Sequence, residues 1–283
     1  MLKKNIVYLS GGLGNQMFQY AFARALYLKY NIPFEINTDF YRRRFEDQTS
    51  RDLGLNLFKL KFKESRFTNL GRVCLGIKKI LLKLIPSLNF SFFNEENFEI
   101  NNINFKKNNF FQGYWQNHKY FESIKDDLKV DFGLEHNISN LNLNSYNQII
   151  NSNSVCIHVR RKDYLGTDYE VVDVNYYKKA FDIIKSKYSK LNFFIFSDDI
   201  KWCKENLTFI PNSTFCSYTL LNDFHLMTLC KHFIIPNSTF SWWAAYLSNN
   251  DNNSKTVIIP SKWHKTNNNL LKNGSPEKWI ILK

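Results

Sequence analysis

The sequence predicts an α/β protein whose C-terminal half is a doubly wound parallel sheet. Three observations carry this. After residue 154 short apolar runs alternate with helical patterns, strand after helix. Near the N-terminus a strand-like run breaks into a glycine turn and then a helical pattern. The most distinctive polar residues follow the apolar runs, at the carboxyl ends of strands, where open α/β sheets bind their ligands.

Taken in order, Asn5 to Ser10 reads as a buried strand running into Gly11, Gly12 and Gly14. A helix from about Asn15 to Tyr30 follows, with Met17, Phe18, Ala21, Ala25 and Leu28 as its apolar face and Asn15 as its N-cap. Phe34 to Asn37 reads as a short strand, and residues 41–109 are irregular. Phe110 to Trp115 ends in the polar cluster Gln112-Gly113-Tyr114-Trp115-Gln116. Residues 137–153 hold seven asparagines, and the domain boundary is placed there, giving 1–148 and 149–283. The second half then reads as strand 154–160, helix 175–189, strand 192–196 and a short helix 200–206. Helix 222–231, strand 232–235, helix 239–248 and strand 256–259 follow. Tyr177, Phe181, Ile184 and Tyr188 share a face of the 175–189 helix.

The chain has 283 residues, 44% of them apolar and 17% aromatic, enough for real cores and unlike a disordered tail. A formal charge of +13 points to acidic partners: nucleic acid, an anionic membrane face or phosphorylated substrates. Against nucleic acid, the basic residues are spread along the chain and no recognised binding module is present. The five cysteines contain no CxxC pair, and Cys156 and Cys230 read as small buried hydrophobes, which suggests a reducing compartment and no zinc site. The first apolar run stops at Ser10, too short for a signal peptide, so a cytoplasmic protein is expected. No apolar stretch reaches the roughly 18 residues of a membrane span. Residues 73–88 read as a basic amphipathic helix carrying Lys78, Lys79 and Lys83. It either packs on its own domain or makes a peripheral contact with the anionic inner face of a membrane.

The segment Val155 to Tyr164 is the most informative. Val155, Ile157 and Val159 alternate with Cys156, His158 and Arg160, and the run breaks into Arg161, Lys162, Asp163 and Tyr164. Paired guanidiniums beside a histidine suit a diphosphate, because each fork can grip two phosphate oxygens; a solvated basic strand end is the plainer reading. Ser197-Asp198-Asp199 after the next strand fits a ribose diol or a guanine edge, or else an ordinary helix cap. Asn237-Ser238-Thr239 lies between a strand and a helix, where hydroxyls and backbone N–H groups can hold phosphate oxygens. Together these read as a nucleotide-diphosphate site. There is no GxxxxGK[ST] loop, no HExxH and no Asp-x-Asp set in an apolar strand, so no metal is expected. Gly12-Leu13-Gly14 starts like a dinucleotide fingerprint, but Met17 stands where its third glycine belongs.

Five segments, GGLGNQMFQYAFARAL (11–26), GYWQNHKYF (113–121), HVRRKDY (158–164), FSDD (196–199) and NSTFSWWAAYL (237–247), resemble in order the motif set of bacterial α-1,2-fucosyltransferases, glycosyltransferase family 11. The resemblance implies a GT-B-type fold of two Rossmann-like domains facing a cleft, the N-terminal one on the acceptor side and the C-terminal one binding GDP-sugar. It implies GDP-fucose as donor and a galactose-terminated oligosaccharide, free or lipid-linked, as acceptor. Inversion without a metal or other cofactor, in the synthesis of a cell-surface glycan such as O-antigen, is also implied. Other nucleotide-sugar transferases of the same fold remain the alternative.

By the same resemblance, Arg160 holds the β-phosphate and stabilises the leaving GDP, and Asn15 reaches the fucose or pyrophosphate. Gly12, Gly14, His158, Arg161, Asp163, Ser197, Asp198, Asp199, Asn237, Ser238, Thr239 and Phe240 are expected around the donor. Tyr114, Trp115 and Gln116 are expected around the acceptor. The stretch HVRRKDYLGTD is also similar to α-1,6-fucosyltransferases, in whose register Asp168 is the general base.

Overall fold

A computed structural model describes residues 4–42, 52–58, 60, 62–65, 90–104, 106–133, 144–248, 254–266 and 274–283. The chain divides into two compact units, Met1–Phe132 and Gly133–Lys283. The basic stretch 73–88 lies outside the described residues. Among those described, no helix is long and apolar enough to cross a membrane.

The first unit is built on a five-stranded sheet of β1 (Asn5–Tyr8), β2 (Glu35–Asn37), β3 (Lys63–Glu64), β4 (Phe90–Asn94) and β5 (Asn108–Gln112). Its order is β3-β2-β1-β5-β4, and every pair is parallel. Strand order reverses between β1 and β5, where Ile6 pairs with Phe110, so the loops after these two strands emerge side by side. The first helix runs Leu13–Tyr30. Its N-cap is Gly12, with no side-chain cap bond, and Asn15 sits inside the first turn, so Asn15 is not the cap the sequence suggested. Nearly every residue from Leu13 to Leu26 is buried, including Gln16 and Gln19, whereas Leu28 is exposed. Fully wrapped helices lose the amphipathic period on which the apolar-face expectation relied.

The second unit is a six-stranded sheet of β6 (Asn153–Val159), β7 (Leu191–Ser197), β8 (Ser213–Cys216), β9 (His232–Ile234), β10 (Val257–Pro260) and β11 (Ile280–Leu282). Its order is β11-β10-β9-β6-β7-β8, all parallel: three strands wind outward one way, then three the other, the doubly wound order expected. From Ser154 to Val159 β6 is wholly buried, which is why it reads as a near-continuous apolar run. The crossover helices Val174–Lys187, Ile200–Asn206, Leu220–Leu229 and Thr239–Leu247 match the sequence expectation within two residues. Tyr177, Phe181 and Ile184 pack with Val155, Ile157 and Ile195 in one core. The edge strands β8 and β11 were not foreseen. They are short and only partly buried, so neither carries a strong period-2 signal.

The boundary lies earlier than the expected 148/149. The helix Asn144–Ile150, inside the asparagine-rich run, packs on the second unit: Ile149 is buried, and Ser145 Oγ lies 3.0 Å from the Tyr218 hydroxyl.

Candidate functional site

Strand order in the second sheet reverses between β6 and β9, where Ile157 pairs with Ile234. Arg160 and Asn237 therefore leave neighbouring strands at the same edge, which is where ligands bind in such sheets. Arg160 is oriented by Asp163: Nη2 donates to Oδ2 at 2.8 Å and Nε lies 2.7 Å from Oδ1. Asp198 adds a contact of 3.4 Å to the same Nε. Burial disfavours the charge, but Asp163 and then Asp198 outweigh it and raise the guanidinium pKa above its ordinary value. Both anchoring carboxylates lie at the Nε and Nη2 edge of the guanidinium.

Arg161 has a different occupation. Its Nε reaches Asp199 Oδ2 at 3.4 Å, its guanidinium lies 4.4 Å above the Trp202 ring, and its backbone N–H donates to Asp198 Oδ1 at 2.9 Å. Asp199 accepts from Trp202 N at 3.1 Å as N-cap of the helix Ile200–Asn206, and Ser197 Oγ accepts from Asp199 N at 2.9 Å. Arg161, Ser197 and Asp199, all expected around the donor, thus also hold one another and the helix cap at this edge. Asp198 brackets both arginine residues. Internal carboxylates thus balance the charge that the sequence alone suggested must await an anionic ligand.

His158 is 5% exposed, and burial, aided by the Arg160 charge and opposed by Asp163, pulls its imidazole down to about 3. It is neutral at neutral pH and adds no charge to the site. Its ring lies 6.0 Å from Phe240, and its buried Nδ1 has no hydrogen-bond partner among the described residues. Asn237, 1% exposed, is a hub: its Nδ2 donates to Tyr169 O at 2.9 Å and Trp263 O at 2.8 Å, while its backbone carbonyl accepts from the Tyr164 hydroxyl at 3.1 Å. Both side-chain amide hydrogens are committed, and its buried Oδ1, unpartnered among the described residues, can only accept. The following helix, Thr239–Leu247, begins at Ser238 without a side-chain cap. Its first N–H groups face the same edge, with Thr239 and Phe240 half-buried, and an uncapped helix start there is a ready anion site.

The loop after Arg160 is closely built. Gly166 takes a φ of +73°, and Thr167 Oγ1 donates to Tyr164 O at 2.7 Å. Asp168 sits at its outer turn with the side chain 56% exposed, its carbonyl accepting from Lys265 N at 2.8 Å and its Oδ2 lying 3.8 Å from His264 Nε2. Among the described residues no group of three or more His, Cys, Asp or Glu could hold a metal ion.

A second cluster lies in the first unit, at its own strand reversal. Gly11 has a φ of +78°, and a Cβ there would stand 2.5 Å from Asn15 Nδ2, so only glycine fits. A Cβ on Gly12 would meet nothing, which leaves this turn open. Asn15 Oδ1 accepts from Gln116 Nε2 at 2.9 Å, tying the first turn of the helix to the loop after β5. Tyr114 is exposed, but Trp115 is not an acceptor residue: it is wholly buried and stacks on Phe22 at 3.9 Å and 6°. Gly14 is buried within the helix and offers no surface to a donor.

Three residues were missed from the sequence. Glu95 accepts from the backbone N–H groups of Tyr114 at 2.8 Å, Trp115 at 2.7 Å and Gln116 at 2.8 Å, pinning a loop whose Trp115 has a φ of +56°. Gln19 ties Ser10 N (3.0 Å) and Gly113 O (3.0 Å) across the reversal, and Gln16 bonds Gly11 O (3.1 Å) and Leu55 N (3.1 Å). Two glutamines on an otherwise apolar helix were the available signal for the last two; Glu95 gave none, since nothing local marks a carboxylate whose partners lie 19 residues on.

The family model described as Glycosyl transferase family 11 matches residues 76–282. The chain is 31% identical to an alpha-1,2-colitosyltransferase of Escherichia coli, over 97% of this chain and 97% of that protein. It is 32% identical to the O-antigen biosynthesis glycosyltransferase WbnK of Escherichia coli, over 92% of this chain and 95% of that one. The mouse galactoside alpha-(1,2)-fucosyltransferase 2 is 36% identical over 35% of this chain and 32% of its own length. Among solved structures, the fucosyltransferase NodZ from Bradyrhizobium is similar at a TM-score of 0.49 and 14% identity, covering 87% of this chain and 92% of that one. Two Rossmann-like units with parallel sheets are the make-up of a GT-B-type glycosyltransferase. The chain belongs to glycosyl transferase family 11, whose α-1,2 fucosyl- and colitosyltransferases are among its relatives.

Proposed function

We propose that this chain transfers fucose from GDP-fucose, with inversion and without a metal, to the 2-hydroxyl of a terminal galactose on a cell-surface glycan precursor at the cytoplasmic side. One observation carries the reading: Arg160, held by Asp163, stands beside the uncapped start of the helix Thr239–Leu247 at the strand reversal. As the sugar–phosphate bond breaks, the diphosphate gains negative charge, and a fixed guanidinium with helix N–H groups meets that charge more strongly than in the bound substrate. Stabilisation that grows toward the transition state is what accelerates the step. His158 Nδ1 and Asn237 Oδ1, buried and unpartnered among the described residues, are polar atoms that a bound nucleotide sugar would satisfy. Asp168, exposed in the loop after Arg160, takes the proton of the attacking hydroxyl on the opposite face of the sugar. Names of relatives support an α-1,2 linkage and an O-antigen acceptor.

The near-full-length relative named a colitosyltransferase favours a second reading, in which the transferred sugar is colitose. Thermal shift against GDP-fucose, GDP-colitose, GDP-mannose and UDP-galactose separates the donors, since a ligand at ~100 times its dissociation constant adds ~2.7 kcal/mol of stability. Transfer to lactose in excess EDTA then tests the chemistry. No shift with any GDP-sugar would end both readings, and a strict demand for Mg²⁺ or Mn²⁺ would end the metal-independent one.

A further inference from the structure

The loop that carries Asp168 also carries Tyr169, a large aromatic side chain left 41% exposed. Exposed tyrosines ordinarily swing between rotamers, yet this one is braced on two sides. Its ring centroid lies 5.5 Å from that of Tyr164 and 4.9 Å from that of His264, the latter edge-on at 85°. Its backbone is equally fixed: the carbonyl accepts from Asn237 Nδ2 at 2.9 Å, and the N–H donates to Thr167 Oγ1 at 3.2 Å. His264 in turn reaches toward Asp168 Oδ2 at 3.8 Å, and Lys265 N binds the Asp168 carbonyl at 2.8 Å. Loops following β6, β9 and β10 are thereby knitted together around one exposed residue, with an imidazole 4.9 Å from its ring centre and the Asp168 carboxylate 3.8 Å from that imidazole.

A hexopyranose has the complementary surface. One face of galactose is a patch of C–H groups, while its hydroxyls project from the rim. A rigid ring receives the C–H patch at little entropic cost, and adjacent polar groups fix the orientation. We infer that Tyr169 is the platform for the acceptor sugar, with Asp168 and His264 bonding its hydroxyls, so that the second unit supplies an acceptor subsite of its own. The platform places the incoming hydroxyl beside Asp168, in the loop that begins with Arg160. This rests on the reading that the acceptor is a galactoside.

The test is saturation-transfer NMR of methyl β-D-galactopyranoside with the full chain in the presence of GDP, comparing wild type, Tyr169→Phe and Tyr169→Ala. The expected result is galactoside binding kept in Tyr169→Phe and weakened about tenfold in Tyr169→Ala, the scale of one lost aromatic contact. GDP affinity, measured by calorimetry on the same proteins, shows that each variant is folded with its donor site intact. Equal galactoside binding by wild type and Tyr169→Ala, or none by wild type, would overturn the inference. Absence of GDP binding by wild type would instead count against the proposed donor, so the two failures read differently.

Discussion

Asp163 closes a two-point fork on Arg160 from within the same loop, at 2.8 and 2.7 Å. The fork sets the plane of the guanidinium before any ligand arrives, which is the preorganisation that an electrostatic catalyst requires. It also leaves the Nη1 edge pointing away from the carboxylate.

Arg160→Ala should lower turnover by at least ~10²–10³, the scale of losing one preorganised transition-state donor. Arg160→Lys should fall nearly as far, because an ammonium cannot engage Asp163 and a phosphate through separate edges. Asp163→Asn should lie between wild type and these. Steady-state kinetics on proteins with unchanged circular dichroism decide it; near-normal turnover in a folded Arg160→Ala protein would remove Arg160 from the chemistry.

Asp168→Asn should reduce transfer by ~10²–10⁴, the range for loss of a general base, with GDP affinity unchanged. Other acids near the loop are already engaged: Asp163 holds Arg160, and Asp173 caps the helix Val174–Lys187 by accepting from Tyr176 N at 3.0 Å. Single-turnover rates alongside GDP calorimetry separate the outcomes. Normal transfer by Asp168→Asn would mean that the proton leaves directly to water.

Glu95→Ala should destabilise the first unit by about 2 kcal/mol, because three backbone N–H groups lose a charged acceptor. Glu95→Gln should recover part of this, since its amide oxygen can keep one or two of the bonds. Gly113→Ala should also destabilise, as its Cβ would stand 2.7 Å from the Glu95 Cβ. Urea melts would show it. A Glu95→Ala protein as stable as wild type would mean that water replaces the carboxylate without loss.

His232 should make the second unit acid-sensitive. Its Nδ1 accepts from Thr256 N at 3.2 Å and its Nε2 pairs with Asn153 Oδ1 at 3.1 Å, an arrangement that needs the neutral ring. Burial, with the Lys231 charge, pulls it down to about 4. With the folded value below the unfolded one of about 6.5, the unfolded chain binds the proton first. This contribution to stability is therefore complete above pH ~6.5 and is lost as pH falls toward 4. His232→Gln should flatten the dependence of Tm on pH across that window. An equally steep profile in the variant would assign the acid loss elsewhere, with His158 the next group.

Much of the second unit was legible because its determinants are local. β6 is an apolar run that breaks at Arg160, and short apolar runs alternate with helical patterns after it, so the parallel sheet follows from the order of residues alone. Conspicuous charge in the motifs gathers at one edge of the sheet, and Arg160 lies there beside Asp163 and Asp198. What each neighbouring charge does there could not be read the same way. Asp199 and Asp198 look alike in the sequence, and only the fold shows which of them caps the helix Ile200–Asn206. Asn237 gives no local sign that both its amide hydrogens go to the Tyr169 and Trp263 carbonyls. A side chain's partner is chosen by atoms brought near from distant parts of the chain, and those distances exist only once the loops have packed.

The first unit makes the division sharper. Its sequence announced a glycine turn and a helix, and Gly11 is fixed there by a left-handed backbone and a crowded neighbour. Its aromatic cluster could not be divided into exposed and buried members, because Tyr114 and Trp115 are adjacent and chemically alike. The sequence by itself determined the class, the order of elements and the strand ends that gather polar residues, since periodicity and backbone preference act over a few residues. Tertiary structure alone decided that Trp115 turns inward onto Phe22 while Tyr114 faces out, and that Glu95 locks them so. Burial is a property of the packed chain, and no residue carries it in advance.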